Sequence, residues 1–547
     1  MSVATGGGAA GMPGLPEVWQ WEEQLVGFGT RYTGSSGHAA YVDWLAGQLS
    51  AVPGFRMQTD RLTFSRWLAR DFALTVSVPA SVGRSGPVPL TYYYPYSGQT
   101  PPGGVTGRLV DLGLYPAGNP VASGYTEAFW APARGGIALV RTAPPEFSLD
   151  LAQTATGGYV PGQSSALAAI DYAAYAAALT NPIFQGIFEP VPLLDARNAG
   201  VLGVVVAWTG LPDEEVVNQY NPFTTSYPAA SGLPAPGDPG CPAVWVGDSA
   251  GTELAELAAG GQASATLVLT ADITAGAATE TVWGWLEGSG DTGQNIIINT
   301  HTDGPNATEE NGGLGLIALA RHLAALPSRN RDMYFALVTG HFQLPQFSRT
   351  ILNLAHPEVG QGAVSTWMAD HPDIYQAAVL GVTVEHLGAT MWTGDPVTGQ
   401  YVPAGGSEWG ATYTMPRDVL SLVNAEQDAY LAAVAAVNAS GWPDYPVATV
   451  RPGTIPAYFG EGSSLYAAGL GTVSLCPSPT YLLQAGDAQQ PQLLDLDKLD
   501  QRLMYGQILA LAQTIGALDA LPAALRGGGA IGTRGGDRRE SLHGHHA

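Results

Sequence analysis

Between positions 301 and 310 the chain places one histidine and three carboxylates: His301, Asp303, Glu309 and Glu310. Charged residues make up only 12% of the sequence, so this is a local concentration rather than part of a general charge excess. An imidazole nitrogen with carboxylate oxygens is a donor set for zinc or another divalent transition ion. A carboxylate beside such an ion can also serve as general base toward water. The two glutamates have a plainer alternative. At a helix N-terminus the macrodipole stabilises an anion by ~0.3–1 kcal/mol with no ligand present.

The surrounding elements must hold these groups in place. Ile296-Ile297-Ile298 reads as a buried strand delivering the chain to His301, and "LGLIALARHLAAL" from 314 reads as the helix that follows. Strands at 281–288, 295–300, 333–340 and 376–386 alternate with helices, one of them near 345–355. That alternation predicts an α/β fold, a mixed central sheet covered by helices on both faces. Upstream, 17–50 reads as helix broken by the polar "TRYTGSSGH", and "FRMQTDRLTF" alternates like a strand. Residues 105–278 read as an α+β unit of their own, with a strand at 135–142, a helix entering a strand over 193–208, and strand, helix and strand over 241–273. Long loops with one Ala-rich helix fill 143–192 and 209–240. Downstream, helices are expected at 416–440, 464–470 and 496–520, and a disordered Gly- and Arg-rich tail at 526–547.

Acidic residues outnumber basic ones 46 to 22, a formal charge of −24, which argues against nucleic acid or an anionic membrane as partner. No run approaches the ~18–20 apolar residues of a membrane span. The first residues lack a basic n-region and an apolar h-region, so a cytoplasmic location is expected. Cys241 and Cys476 form neither a zinc spacing nor a disulfide framework and read as reduced, mostly buried thiols. The motif Gly313-x-Gly315-x-x-Ala318 lies too far beyond its strand for the tight turn of a dinucleotide site. The oligomeric state is open, a homo-oligomer included.

The order of these pieces resembles that of the M28-type zinc peptidases that carry an inserted protease-associated (PA) domain. The resemblance is carried by "GTRYTGSSGHAAYVDWLAGQL", "ARNAGVLGVVVAW", "CPAVWVGDSAGTELAELAAGG", "TVWGWLEGSGDTGQNIIINTHTDG", "VLGVTVEHLG" and "GEGSSLYAAGLGTVSLC". It implies a discontinuous zinc-exopeptidase-like domain over 15–104 and 279–525, with a PA-like insert over 105–278.

The resemblance also implies roles. His301 matches the histidine of the family's His-x-Asp motif, a metal ligand, and Asp303 the residue that orients it. The metal-bridging aspartate falls on Glu310, before Asn311, with Glu309 as the competing choice. The family's Glu-Glu pair falls on Gly340 and His341, so the general base is absent and a ligand becomes histidine. Its later aspartate ligand falls on Glu385. His386 is adjacent and, on a continuing strand, would face the other way. The last histidine ligand is missing, since Tyr481 is followed by Leu482. Glu461 falls near the active-site loop, and His386, Glu461 and Tyr481 are pocket candidates, with Arg451 and Tyr458 on the rim.

The expected set is thus His301, Glu310, His341 and Glu385 around one ion rather than two, zinc first, with iron or manganese as alternatives. Glu309 or Glu385 must then act as base. The expected function is metal-dependent hydrolysis of an amide or peptide-like bond in a small-molecule or peptide-like substrate. The alternatives are an inactive peptidase-like binding protein and a non-hydrolytic metal enzyme acting on a small molecule.

Overall fold

The computed structural model describes residues 10–81, 85–114, 127–142, 191–220, 240–349, 351, 362–395, 398–407, 411–414, 460–477, 479–486 and 496–520. The helices expected at 416–440 and within 143–192, the tail, Arg451 and Tyr458 lie outside these residues. The strands are β1 (Arg56–Ser77), β2 (Gly86–Pro87), β3 (Tyr92–Tyr93), β4 (Val105–Leu114), β5 (Gly136–Arg141), β6 (Gly203–Ala207), β7 (Ala243–Val246), β8 (Ser264–Leu286), β9 (Asn295–His301), β10 (Asp332–Val338), β11 (Ala378–Val384), β12 (Thr390–Gly394), β13 (Tyr401–Ser407), β14 (Ala411–Thr414) and β15 (Gly471–Leu475). The helices used below are α1 (Leu15–Gly27), α2 (Ser36–Ser50), α3 (Leu193–Asn198), α4 (Asp248–Ala259), α5 (Ala307–Glu310), α6 (Gly312–Ala325), α7 (Val364–Asp370), α8 (Gly462–Ala467) and α9 (Gln501–Asp519).

Among the described residues one mixed sheet of 13 strands runs β14-β15-β11-β9-β10-β8-β4-β5-β6-β7-β3, with β1 along β8 and β2 along β1. β12 and β13 pair separately. The strands β15, β11, β9 and β10 are parallel neighbours. Side chains alternate between faces along a strand. Ile296 and Ile298 therefore enter one core with Leu45 of α2, Leu319 of α6 and Ile508 of α9. Ile297 enters another with Trp367 of α7 and Leu465 of α8. This is the expected α/β fold with helices on both faces, and the double burial explains why β9 reads as an unbroken apolar run.

The helix starts are explained locally. The Ser35 hydroxyl accepts the His38 N–H at 3.1 Å, and the Asp500 carboxylate accepts those of Arg502 and Leu503. At α5 the Asn306 side chain accepts the Glu309 N–H at 3.0 Å.

Two elements differ from the sequence expectation. β8 is one strand of 23 residues where two were expected. Its polar middle, around "ITAGAATET", looks like a break but pairs with β1 from Thr63↔Ala278 to Trp67↔Ile273, so tertiary pairing overrides local composition. Of the helix expected near 345–355, only Leu344–Phe347 is helical among the described residues. No helix among the described residues is long and apolar enough to cross a membrane.

Candidate metal centre

The polar cluster stands on the C-terminal ends of the four parallel neighbours. His301 closes β9 and lies level with Val338 at the end of β10, while Val384 of β11 pairs with Leu475 of β15. The chain leaves β9 for β10 on one side and later reaches β11 on the other. A crevice opens where the direction of winding reverses in this way.

His301 is fully buried. Its Nδ1 lies 3.0 Å from the carbonyl oxygen of Asp303, which fixes the ring and leaves Nε2 facing inward. That Nε2 has no hydrogen-bond partner among the described residues. It lies 3.9 Å from Glu309 Oε1 and 4.0 Å from Glu385 Oε2. Burial, then the neighbouring His341, push the His301 pKa down to about 3, so the ring is neutral and its nitrogen lone pair is available.

The two glutamates of α5 part company, because successive helical residues point about 100° apart. Glu309 turns into the cluster, with Oε1 3.9 Å from His341 Nε2 and Oε2 3.2 Å from His386 Nε2. Glu310 turns away and forms a buried ion pair with Arg31. Burial pushes the Glu310 pKa up, and the Arg31 guanidinium works against that rise. The carboxylate expected to be a ligand is thus paired with an arginine, and its neighbour occupies the cluster.

Asp303 faces the next turn rather than the cluster. Its carboxylate accepts the Thr33 hydroxyl at 2.6 Å and the N–H groups of Gly340, His341 and Phe342 at 3.0, 3.2 and 3.0 Å. Burial opposes its charge, but His38, His301 and the Thr33 bond outweigh that and hold its pKa below the usual value. The turn it anchors presents His341, whose Nδ1 meets Glu461 Oε1 at 2.6 Å. Burial would lower the His341 pKa, but the Glu461 bond and charge, with Glu385 and Glu309, raise it to about 9. Glu461 also accepts the N–H groups of Ala363 and Val364 at 3.0 and 2.6 Å.

Glu385 accepts the Glu461 N–H at 2.7 Å and the Cys476 thiol at 3.0 Å. Its neighbour His386 also faces the cluster. β11 has ended at Val384, and His386 adopts a left-handed φ of 55°, so strand alternation no longer applies. His386 Nδ1 is hydrogen-bonded to the Pro477 carbonyl, and Nε2 lies 3.8 Å from Glu385 Oε2. Burial disfavours the charged ring, but Glu309 and Glu385 outweigh this and raise its pKa.

The structure therefore brings together His301, Glu309, His341, Glu385 and His386, with Glu461 behind His341. Tyr481 is elsewhere: its hydroxyl donates to the carbonyls of Thr390 and Lys498 at 2.9 and 3.2 Å, tying β12 to the chain before α9. Four residues gave no signal of a role in the sequence. Arg31 and Thr33 read as a polar helix break, and Cys476 as a reduced, mostly buried thiol. His38, within the segment read as the first helix, is buried, 2.9 Å from Thr302 Oγ1, with burial lowering its pKa to about 4. Each contacts the site from far away in sequence.

Two groups of three among the described residues have ligand atoms close enough to share one ion: His301 with Glu385 and His386, and His301 with Glu309 and His341. Ligand atoms about 2.0–2.2 Å from a common ion lie roughly 3–4 Å apart, and the histidine-to-carboxylate distances in both groups, 3.8–4.0 Å, fall within that range.

No protein-family model and no curated protein matches the chain in sequence. In structure it is similar to an aminopeptidase from Aneurinibacillus sp. strain AM-1, with a TM-score of 0.53 and 14% identity, covering 92% of each chain. The zinc aminopeptidase BSAP from Bacillus subtilis gives 0.52 and 13%, covering 94% of this chain and 98% of that one. A peptidase M28 precursor from Shewanella amazonensis SB2B gives 0.54 and 15%, covering 92% and 97%. At these identities the likeness establishes the fold.

Proposed function

For a chain with the fold of the M28-type zinc peptidases, we propose metal-dependent hydrolysis of an amide or peptide-like bond at a single-ion site. The observation that carries this reading is the buried, unpartnered His301 Nε2 between the carboxylates of Glu309 and Glu385. A neutral imidazole nitrogen facing two carboxylates inside a protein is a costly arrangement unless a cation joins them.

The donor count supports one ion rather than two. Both three-residue groups need His301 Nε2, and His301 Nδ1 is occupied by the Asp303 carbonyl, so the groups cannot be filled together. Glu310, the other carboxylate of α5, is paired with Arg31 and is not offered to a second ion. The donor set of imidazoles and carboxylates suits zinc, with iron or manganese as alternatives.

A bound ion would supply Lewis-acid polarisation of the substrate carbonyl and activation of water. The chain's own residues do the rest. Glu309, on the short α5, is placed to take the proton that position 340, a glycine, cannot take. Asp303 acts through the turn it holds, setting where His341 stands. Glu385 is kept in orientation by the Glu461 N–H and the Cys476 thiol.

The test is metal content by mass spectrometry on purified protein, beside His301→Ala, with hydrolysis of a panel of chromogenic amides. About one ion per chain, lost in the variant, with amide turnover is the expected result. Absence of any ion after reconstitution with zinc, manganese and iron would overturn the reading in favour of a peptidase-like binding protein.

A further inference from the structure

The two three-residue groups share His301 and differ in the second histidine, and ring geometry decides between them. An ion bound through an imidazole nitrogen lies near that ring's plane, on the lone-pair axis. The His301 and His341 rings are stacked, with centroids 4.1 Å apart and planes inclined by 13°. Stacked rings in van der Waals contact are separated by roughly 3.5 Å, so these planes run side by side and share no point near the two nitrogens. The His301 and His386 planes cross at 68°, with centroids 6.1 Å apart, and can meet at one ion. His386 and His301 also share a second feature, in that Nδ1 of each is engaged by a backbone carbonyl. The carboxylate on His341 Nδ1 would suit a ligand equally well, so the ring planes carry the distinction.

His341 is also the most open of the three, its side chain 13% exposed against 0% for His301 and 4% for His386. Glu461 holds it there and is itself fixed by three backbone hydrogen bonds, two to its carboxylate and one from its own N–H to Glu385. We propose that His341 stands outside the ion's ligand set and that Glu461 holds it as a side chain that hydrogen-bonds the substrate. The ion is then left to His301, Glu385 and His386. This inference rests on the metallohydrolase reading above.

The test compares wild type with His301→Ala, His386→Ala, His341→Ala and His341→Gln, each checked for folding by thermal melting. Ion affinity is measured by chelator competition and turnover on the same chromogenic amides. The two His341 variants should retain one ion with affinity within about threefold, whereas His301→Ala and His386→Ala should weaken it by about a hundredfold or more. His341→Ala should lower kcat/KM by about a hundredfold, and His341→Gln, which keeps a hydrogen-bonding group near Nε2, should recover about tenfold of that. Loss of the ion from His341→Ala to the same degree as from His301→Ala overturns the inference and leaves the hydrolase reading standing. So does a retained ion with unchanged turnover. A wild-type chain that holds no ion overturns both.

Discussion

Replacing Arg31 by methionine leaves the Glu310 carboxylate buried without its partner. Removing one member of a buried ion pair typically costs about 3–5 kcal/mol, because the carboxyl left behind must stay charged without a counter-ion or take up a proton in the interior. Urea unfolding of Arg31→Met should show a loss of that order, and adding Glu310→Leu should restore at least half of it. A double variant no more stable than the single one would mean that Glu310 finds another partner, and the account of its place in the site would fail. At this scale the sequence was legible in part. The types and spacing of His301, Asp303 and Glu309 marked the ten residues from which the fold draws His301 and Glu309 into the cluster. It could not tell Glu309 from Glu310, because which one faces inward depends on where α5 begins, and Asn306 sets that. Nor could it find Arg31 or Thr33, since their partners lie 279 and 270 positions away.

The turn after β10 shows how an element places a side chain. Gly340 has φ of 95°, a conformation L side chains rarely adopt, and a Cβ there would sit 2.2 Å from the Phe347 ring. Gly340→Ala should therefore cost about 2 kcal/mol or more, from left-handed strain and overpacking together. It should also displace His341, whose N–H shares Asp303 Oδ1 with that of Gly340. Melting and amide turnover should fall together, and a variant as stable and active as wild type would refute the role given to this turn. The parallel strands and α6 were legible because burial on both faces writes continuous apolar runs. The placement of His386 was not, because it depends on the strand stopping at Val384 and on one left-handed residue. The unity of β8 was hidden for a related reason: its middle is polar, and only β1 makes it a strand.

Across the whole molecule, segments distant in sequence meet at Glu215. It is buried, beside Gly394 at the end of β12, and its carbonyl accepts the amides of Gln219 and Gln484. Burial raises its pKa from 4.5 to about 7. The folded state therefore binds this proton more tightly than the unfolded chain, so the group's contribution to stability falls as pH rises from about 4.5 to about 7 and then levels off. The shift corresponds to roughly 3 kcal/mol. Glu215→Gln should gain stability relative to wild type at pH 8 by more than it does at pH 5, read from urea unfolding at each pH. A difference independent of pH would show that Glu215 is charged and satisfied in the fold. A second long-range meeting, that of β1 with β8, bears on synthesis. Ser77 ends β1 and Ser264 opens β8. At about 5–20 residues per second, the roughly 190 residues between them take on the order of 10–40 s to leave the ribosome. For that interval β1 has only the two-residue β2 beside it, and the edge that β8 will cover is available to other chains. Its own sequence supplies the protection: Arg56, Arg61 and Arg70, which later pair with Glu287, Glu280 and Asp272 flanking or within β8, are charges that discourage edge-to-edge association while the nascent strand waits.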